Sequence, residues 1–143
     1  MKGILASSRI WGGAVVVWAV TLHVLSSKAR QPMGPEIPHF DKVAHATYFM
    51  LGSAAFFLAM RLRVRPPSDR ALVWMTLLFA AVAGALDEWH QSFVPGRSGN
   101  DVADWTADLL GGVLGLALGK RLYRAVRRRS PRRAMRRWAP KKV

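Results

Sequence analysis

An all-α integral membrane bundle of four helices is the fold this sequence predicts. Three observations predict it. Hydrophobic residues make up 51% of the 143-residue chain and gather into four blocks. Proline, glycine and charge separate those blocks. The basic residues, which give a formal net charge of +14, lie between the blocks and in the C-terminal tail rather than inside them. Helices of a soluble bundle carry one polar face, and the first and third blocks have none, which argues against a water-soluble fold. The chain has no cysteine, so disulfides, thiolate metal sites and a cysteine nucleophile are excluded. One domain is expected at this length: residues 1–119 as the four-span unit, and 120–143 as a basic cytoplasmic tail, disordered or helical on the membrane surface.

A membrane-crossing helix rises ~1.5 Å per residue and needs ~20 residues, with ~17–25 tolerated. The blocks at residues 10–27, 43–60, 71–86 and 102–118 lie at the short end of that range. They reach it if polar residues at their ends sit at headgroup depth. Block one follows Lys2 and Arg9, as a signal peptide would, but its apolar run exceeds an h-region and no small-x-small cleavage site follows. Pro32, Pro35 and Pro38 separate blocks one and two, Pro66 and Pro67 follow block two, and Pro95-Gly96 follows block three. Proline at these places ends helices without breaking their interiors. Gly111, Gly112, Gly115 and Gly119 give block four small-x-x-x-small spacing, which permits close helix approach within the bundle. Trp18, Trp74 and Trp105 suit anchoring in lipid or at its interface.

Charge sets the expected orientation. Arg61, Arg63, Arg65 and Arg70 crowd the second connection, and the tail from Lys120 onward is rich in Lys and Arg with no acid. The third connection has Arg97 among several acids. The positive-inside rule therefore places both termini and the middle connection in the cytoplasm, with connections one and three outside. Lys28, Arg30 and Lys42 weigh weakly the other way.

Polar residues then collect at the outer end of three spans. Asp41, His45 and Tyr48 share one face of the second helix, beside Lys42. Asp87 and Glu88 close block three, with His90 and Gln91 one turn on. Asp101, Asp104 and Asp108 fall at i, i+3 and i+7 on one face of block four. Carboxylates facing lipid are costly, about 2.5–3.5 kcal/mol each at mid-helix. Asp87, His45 and Asp108, embedded in apolar sequence, therefore point to a shared polar pocket. Asp41 and Asp101 serve equally well as helix-start residues favoured by the macrodipole. His23 and His39 look like interface or solvent histidines. Arg97, on its Pro-Gly turn, is expected beside Asp41, His45 and Asp104.

These residues resemble a known family. DKVAHATYFMLG (41–52) resembles the Asp-Lys, His and Tyr element that opens the second helix of VanZ-like membrane proteins. DEWHQSFVPGRSGNDVADWTADLLGGVLG (87–115) resembles their second signature, Asp-Glu-x-x-Gln-x-Phe-x-Pro-Gly-Arg followed by Asp-x-x-x-Asn-x-x-Gly. The likeness covers roughly residues 10–119 and points to Asp41, Lys42, His45, Tyr48, Asp87, Glu88, Gln91, Phe93, Pro95, Arg97, Asp104 and Gly111. Asp108 stands where the family often has asparagine. The resemblance implies a cell-envelope protein of the bacterial inner membrane, linked to low-level glycopeptide resistance of the teicoplanin type. It leaves the reaction undefined and any cofactor unknown.

Three functions stay open. One is binding of an anionic envelope component such as a lipid-linked cell-wall precursor, with Arg97 on phosphate or carboxylate and Asp87, Glu88 and Gln91 holding it. Another is a membrane-embedded hydrolase or transferase on a lipid-phosphate or glycan. There His45 with Asp41 would act as general base, with Asp87 and Glu88 as further catalytic candidates. The third is a polar network that only locks the helices together. No recognised metal motif occurs and no metal ligands are assigned, although in the enzymatic alternative His45, His90 and the carboxylates could hold a hard divalent ion. Membrane lipid is the expected partner. Nucleic acid is disfavoured despite the basic tail, because no fold or aromatic platform accompanies it.

Overall fold

The computed structural model describes residues 6–28, 40–97 and 99–128. Within them the chain forms four α-helices and no strand: α1 (Ser8–Ser26), α2 (Phe40–Arg61), α3 (Asp69–Gln91) and α4 (Val102–Arg128). Arg30, Pro32, Pro35, Pro38, His39 and residues 129–143 of the tail lie outside the described residues. All four helices are long and apolar enough to cross a membrane.

Three helices outrun their apolar blocks. α2 takes in Asp41 and Lys42, α3 extends from Asp69 to Gln91, and α4 continues past Lys120 to Arg128. Backbone hydrogen bonding propagates through polar residues as readily as apolar ones, so a helix stops at a cap or a proline rather than where hydropathy falls. Ser68, just after Pro66-Pro67, shows the stop: its hydroxyl accepts the Ala71 N–H at 3.2 Å, and Asp69 lies in the positive first turn.

The helices alternate in direction. At one end the Ser8 hydroxyl donates to the Ala59 carbonyl at 2.6 Å, and Arg61 pairs with Asp69 at 2.6 Å while lying 5.1 Å over the Tyr123 ring. At the other end α1 and α3 finish, α2 and α4 begin, and the acids gather. The first is the basic end and the second the polar end. The most extensive interface joins α2 and α4. It is close because a Cβ at Gly111 would run into the Ala46 carbonyl, one at Gly115 into the Met50 carbonyl, and one at Gly119 into the Phe57 ring. The glycine spacing is thus used inside the bundle.

Apolar packing forms two clusters, Phe57, Leu58, Leu72 and Leu116 towards the basic end, and Trp18, Phe49 and Ala80 nearer the polar end. Val16, Val17 and Val20 of α1, Leu78 of α3 and Val113 of α4 point outward, as a lipid-facing surface requires. Trp18 departs from expectation. It is buried rather than an anchor: the indole stacks on Tyr48 with centroids 5.6 Å apart, meets Phe49 edge-on, and donates its N–H to the Tyr48 carbonyl at 2.9 Å. A side chain at Gly52 would collide with that indole, so the glycine makes its slot. Trp105 also turns its N–H inward, to the Ala81 carbonyl at 3.0 Å. Away from water an indole N–H needs an acceptor, and a helix carbonyl supplies one. Trp74 alone of the three is exposed, at 64%.

Candidate functional site

The polar end contains two separate networks. The first begins at Asp87, which is buried. Its Oδ1 accepts a short hydrogen bond from the Ser26 hydroxyl of α1, and its Oδ2 accepts the Gln91 amide at 2.7 Å. Gln91 Oε1 in turn accepts from Arg97 Nη1 at 2.9 Å. Arg97 spreads its remaining donors over the end of α1, Nε to the Lys28 carbonyl at 3.2 Å and Nη2 to the Leu25 carbonyl at 3.3 Å. A guanidinium beside the C-terminal end of a helix complements the negative end of its dipole.

The turn that delivers Arg97 follows from its residues. The Arg97 N–H closes on the Val94 carbonyl at 3.2 Å, with Pro95 and Gly96 between them and Gly96 at φ +79°. Proline followed by a positive-φ glycine is the type II turn pattern. The expected placement of Arg97 beside Asp41 and Asp104 is therefore corrected. Its bonds go to α1 and Gln91, and Lys42 is the cation that meets those acids.

Lys42 heads the second network. Its ammonium bonds Asp104 at 2.6 Å, Asp101 at 3.1 Å and Asp41 at 3.1 Å. Asp101 lies just before α4 and accepts the Ala103 N–H at 2.8 Å, so its two expected roles, helix start and ion pair, coexist. The hydrogen bond from Lys42, aided by the Ala103 N–H, holds the Asp101 carboxyl below its ordinary pKa. One turn deeper, His45 Nδ1 meets Asp108 Oδ1 at 2.9 Å, with Asp108 fully buried. The i, i+3, i+7 face of α4 thus faces α2, as its spacing predicts. Asparagine would accept the same imidazole N–H, which accounts for either residue at position 108.

Glu88 joins this second network from α3. Its Oε2 accepts the Asp101 backbone N–H at 2.7 Å, and its Oε1 is buried without a hydrogen-bond partner. Donor atoms of His45, Glu88 and Asp104 lie within 4.8 Å of one another, a grouping able to hold a metal ion. His90 is elsewhere: its ring pairs with the Ser27 hydroxyl at 3.0 Å and lies 4.5 Å from the His23 ring. Tyr48 lines the same cavity as His45 and Asp87, but its hydroxyl donates to the Trp18 carbonyl at 2.9 Å. The expected Asp41–His45–Tyr48 grouping is thus divided among three sets of partners. Ser26 was not foreseen, since nothing in a Ser-Ser pair at the end of a span marks its hydroxyl as the partner of a carboxylate on another helix.

A cavity of about 180 Å³ lies between α1, α2 and α3. Its lining mixes the polar side chains of His45, Tyr48, Asp87, Gln91 and Arg97 with Leu22, Leu25 and Phe49. The cavity is amphiphilic, and His45 joins it to the second network.

The family model of VanZ/LLP1 matches residues 7–123, most of the chain. No curated protein and no solved structure matches it. Four helices able to cross a membrane, with both signature stretches at one end of the bundle, are what that match covers, and the chain belongs to the VanZ/LLP1 family of membrane proteins.

Proposed function

We propose that this protein works in the bacterial cytoplasmic membrane, with its polar end outward, by engaging the headgroup of an envelope lipid such as a lipid-linked cell-wall precursor. The observation that carries this reading is the cavity, where His45, Asp87, Gln91 and Arg97 stand in a largely apolar lining, the mixture that a lipid headgroup and the start of its chain require. Sequestering or repositioning a precursor would alter glycopeptide sensitivity, in keeping with the resistance from which the family is named. His45 is the cavity residue best placed to act on a headgroup, since it lies between the cavity and the buried carboxylates. Arg97 is a weaker candidate than its turn suggests, because its donors are already directed to Gln91, Leu25 and Lys28. The chain of bonds from Ser26 through Asp87 and Gln91 to Arg97 favours a structural role for that half of the polar end.

Native mass spectrometry of the purified protein tests the reading. A co-purifying phospho- or pyrophospholipid is expected, retained by wild type and lost from His45→Ala at normal abundance in the membrane. Bulk phospholipid alone, equal in both, would overturn it.

A further inference from the structure

Glu88 is 4% exposed, and one of its two carboxylate oxygens has no hydrogen-bond partner. A buried carboxylate oxygen left that way is costly unless a proton or a cation meets it. The surroundings favour a cation. Donor atoms of His45 from α2 and Asp104 from α4 converge with Glu88 from α3, all within 4.8 Å. With Asp108 ionised, His45 Nδ1 is the donor of their 2.9 Å bond, which leaves the Nε2 lone pair for a ligand. A carboxylate behind the imidazole in this way fixes tautomer and ring orientation at metal-ligating histidines. A proton on Glu88 would satisfy its oxygen alone, whereas a cation would meet it together with the imidazole nitrogen and the Asp104 carboxylate that lie beside it. Charge points the same way: Asp101 and Asp104 both bond the Lys42 ammonium, which does not bond Glu88 or Asp108.

We infer that His45, Glu88 and Asp104 bind one divalent transition-metal ion, Zn²⁺ in preference to Mg²⁺ or Ca²⁺, with Asp108 as the residue that positions His45. One imidazole nitrogen with two carboxylate oxygens suits Zn²⁺, whereas Mg²⁺ and Ca²⁺ favour all-oxygen sets. Zinc–ligand bonds of about 2.0–2.2 Å bring tetrahedral ligands to about 3.5 Å from one another, so the side chains close in by about an ångström. Three protein ligands leave a fourth position for water or a substrate oxygen. Next to the cavity, the ion would supply the positive charge for an anionic headgroup that Arg97 and Lys42 direct elsewhere. That last link rests on the envelope-lipid reading; the site itself does not.

The full chain in detergent, stripped with a chelator and titrated calorimetrically with Zn²⁺, tests the inference. Binding of about one equivalent is expected, unaffected by excess Mg²⁺. Glu88→Gln and Asp104→Asn should weaken it by roughly 100-fold or more, while His90→Ala binds as wild type does. Asp108→Asn should keep the stoichiometry and weaken binding by roughly 10–100-fold. Should the ligand variants fail to fold, ¹⁵N-histidine spectra of wild type still decide: Zn²⁺ must shift the His45 Nε2 resonance. No uptake by wild type, a shift at His90 or His23 instead, or unchanged affinity in Glu88→Gln would overturn the site. Zn²⁺ uptake is measured without lipid, so either result leaves the lipid experiment independent.

Discussion

Two aspartates at the polar end have opposite tolerances for the loss of charge. Asp87 receives donors on both oxygens, from Ser26 and Gln91, and Gln91 receives Arg97 on its own oxygen. Every hydrogen in this chain runs towards Asp87. An amide at position 87 could keep its oxygen on Gln91 only by turning its NH₂ to the Ser26 hydroxyl, which would have to reverse from donor to acceptor. Asp87→Asn should therefore destabilise the protein, by about 1–3 kcal/mol, through the lost charge-assisted bonds and the reversed Ser26 hydroxyl, and Asp87→Ala by more. Asp108 accepts only the His45 N–H among the bonds that define the site, which an amide oxygen accepts equally. Asp108→Asn should therefore cost well under half as much. Thermal unfolding in one detergent checks the contrast, and a larger loss at position 108 than at 87 would contradict it.

At the scale of the helices, the same residue type has two different jobs. Gly115 lies where a Cβ would strike the Met50 carbonyl and the Ser53 side chain, whereas Gly13 of α1 has nothing within 4 Å of an added Cβ. Gly115→Ala should force α2 and α4 apart at a cost of about 1–3 kcal/mol. Gly13→Ala, in an open helix position, should be neutral or stabilising by up to about 1 kcal/mol. Melting temperatures of the two variants relative to wild type check both signs. The glycine spacing that predicted close approach was legible in the sequence, as were the four spans and the acidic face of α4, because each is a local periodicity. The pairings between helices were not. Periodicity says that Asp104 and Asp108 share a face, but not that Lys42 rather than Arg97 meets Asp104. Nor does it say that Trp18 leaves the lipid to fill the slot at Gly52. Those outcomes depend on which helix ends adjoin and on how far a side chain reaches across.

For the molecule as a whole, charge divides along the bundle axis. Arg9, Arg61, Arg63, Arg65, Arg70, Lys120, Arg121 and Arg124 lie at or near the basic end, and Asp69 is the acid among them. Among the described residues, the polar end holds Asp41, Asp87, Glu88, Asp101, Asp104 and Asp108 with Lys28, Lys42 and Arg97. Two of these three cations are engaged internally, Lys42 by three carboxylates and Arg97 by helix carbonyls and Gln91. Lys42, one of the cations that weigh against the positive-inside assignment, is thus held by carboxylates within the bundle and presents less free charge than a count gives. The basic end should face the cytoplasm and the polar end outward. The absence of cysteine makes a direct test possible. Ser92→Cys is on the exposed surface at the polar end, and Val64→Cys is at a fully exposed position of the α2–α3 connection. In intact cells a membrane-impermeant maleimide should label position 92 and spare position 64, and lysis should make both reactive. Labelling of position 64 but not 92 before lysis would invert the topology. The cavity, the proposed zinc ligands and the envelope lipid would then no longer lie on the same side of the membrane, and the proposed function would fail with the orientation.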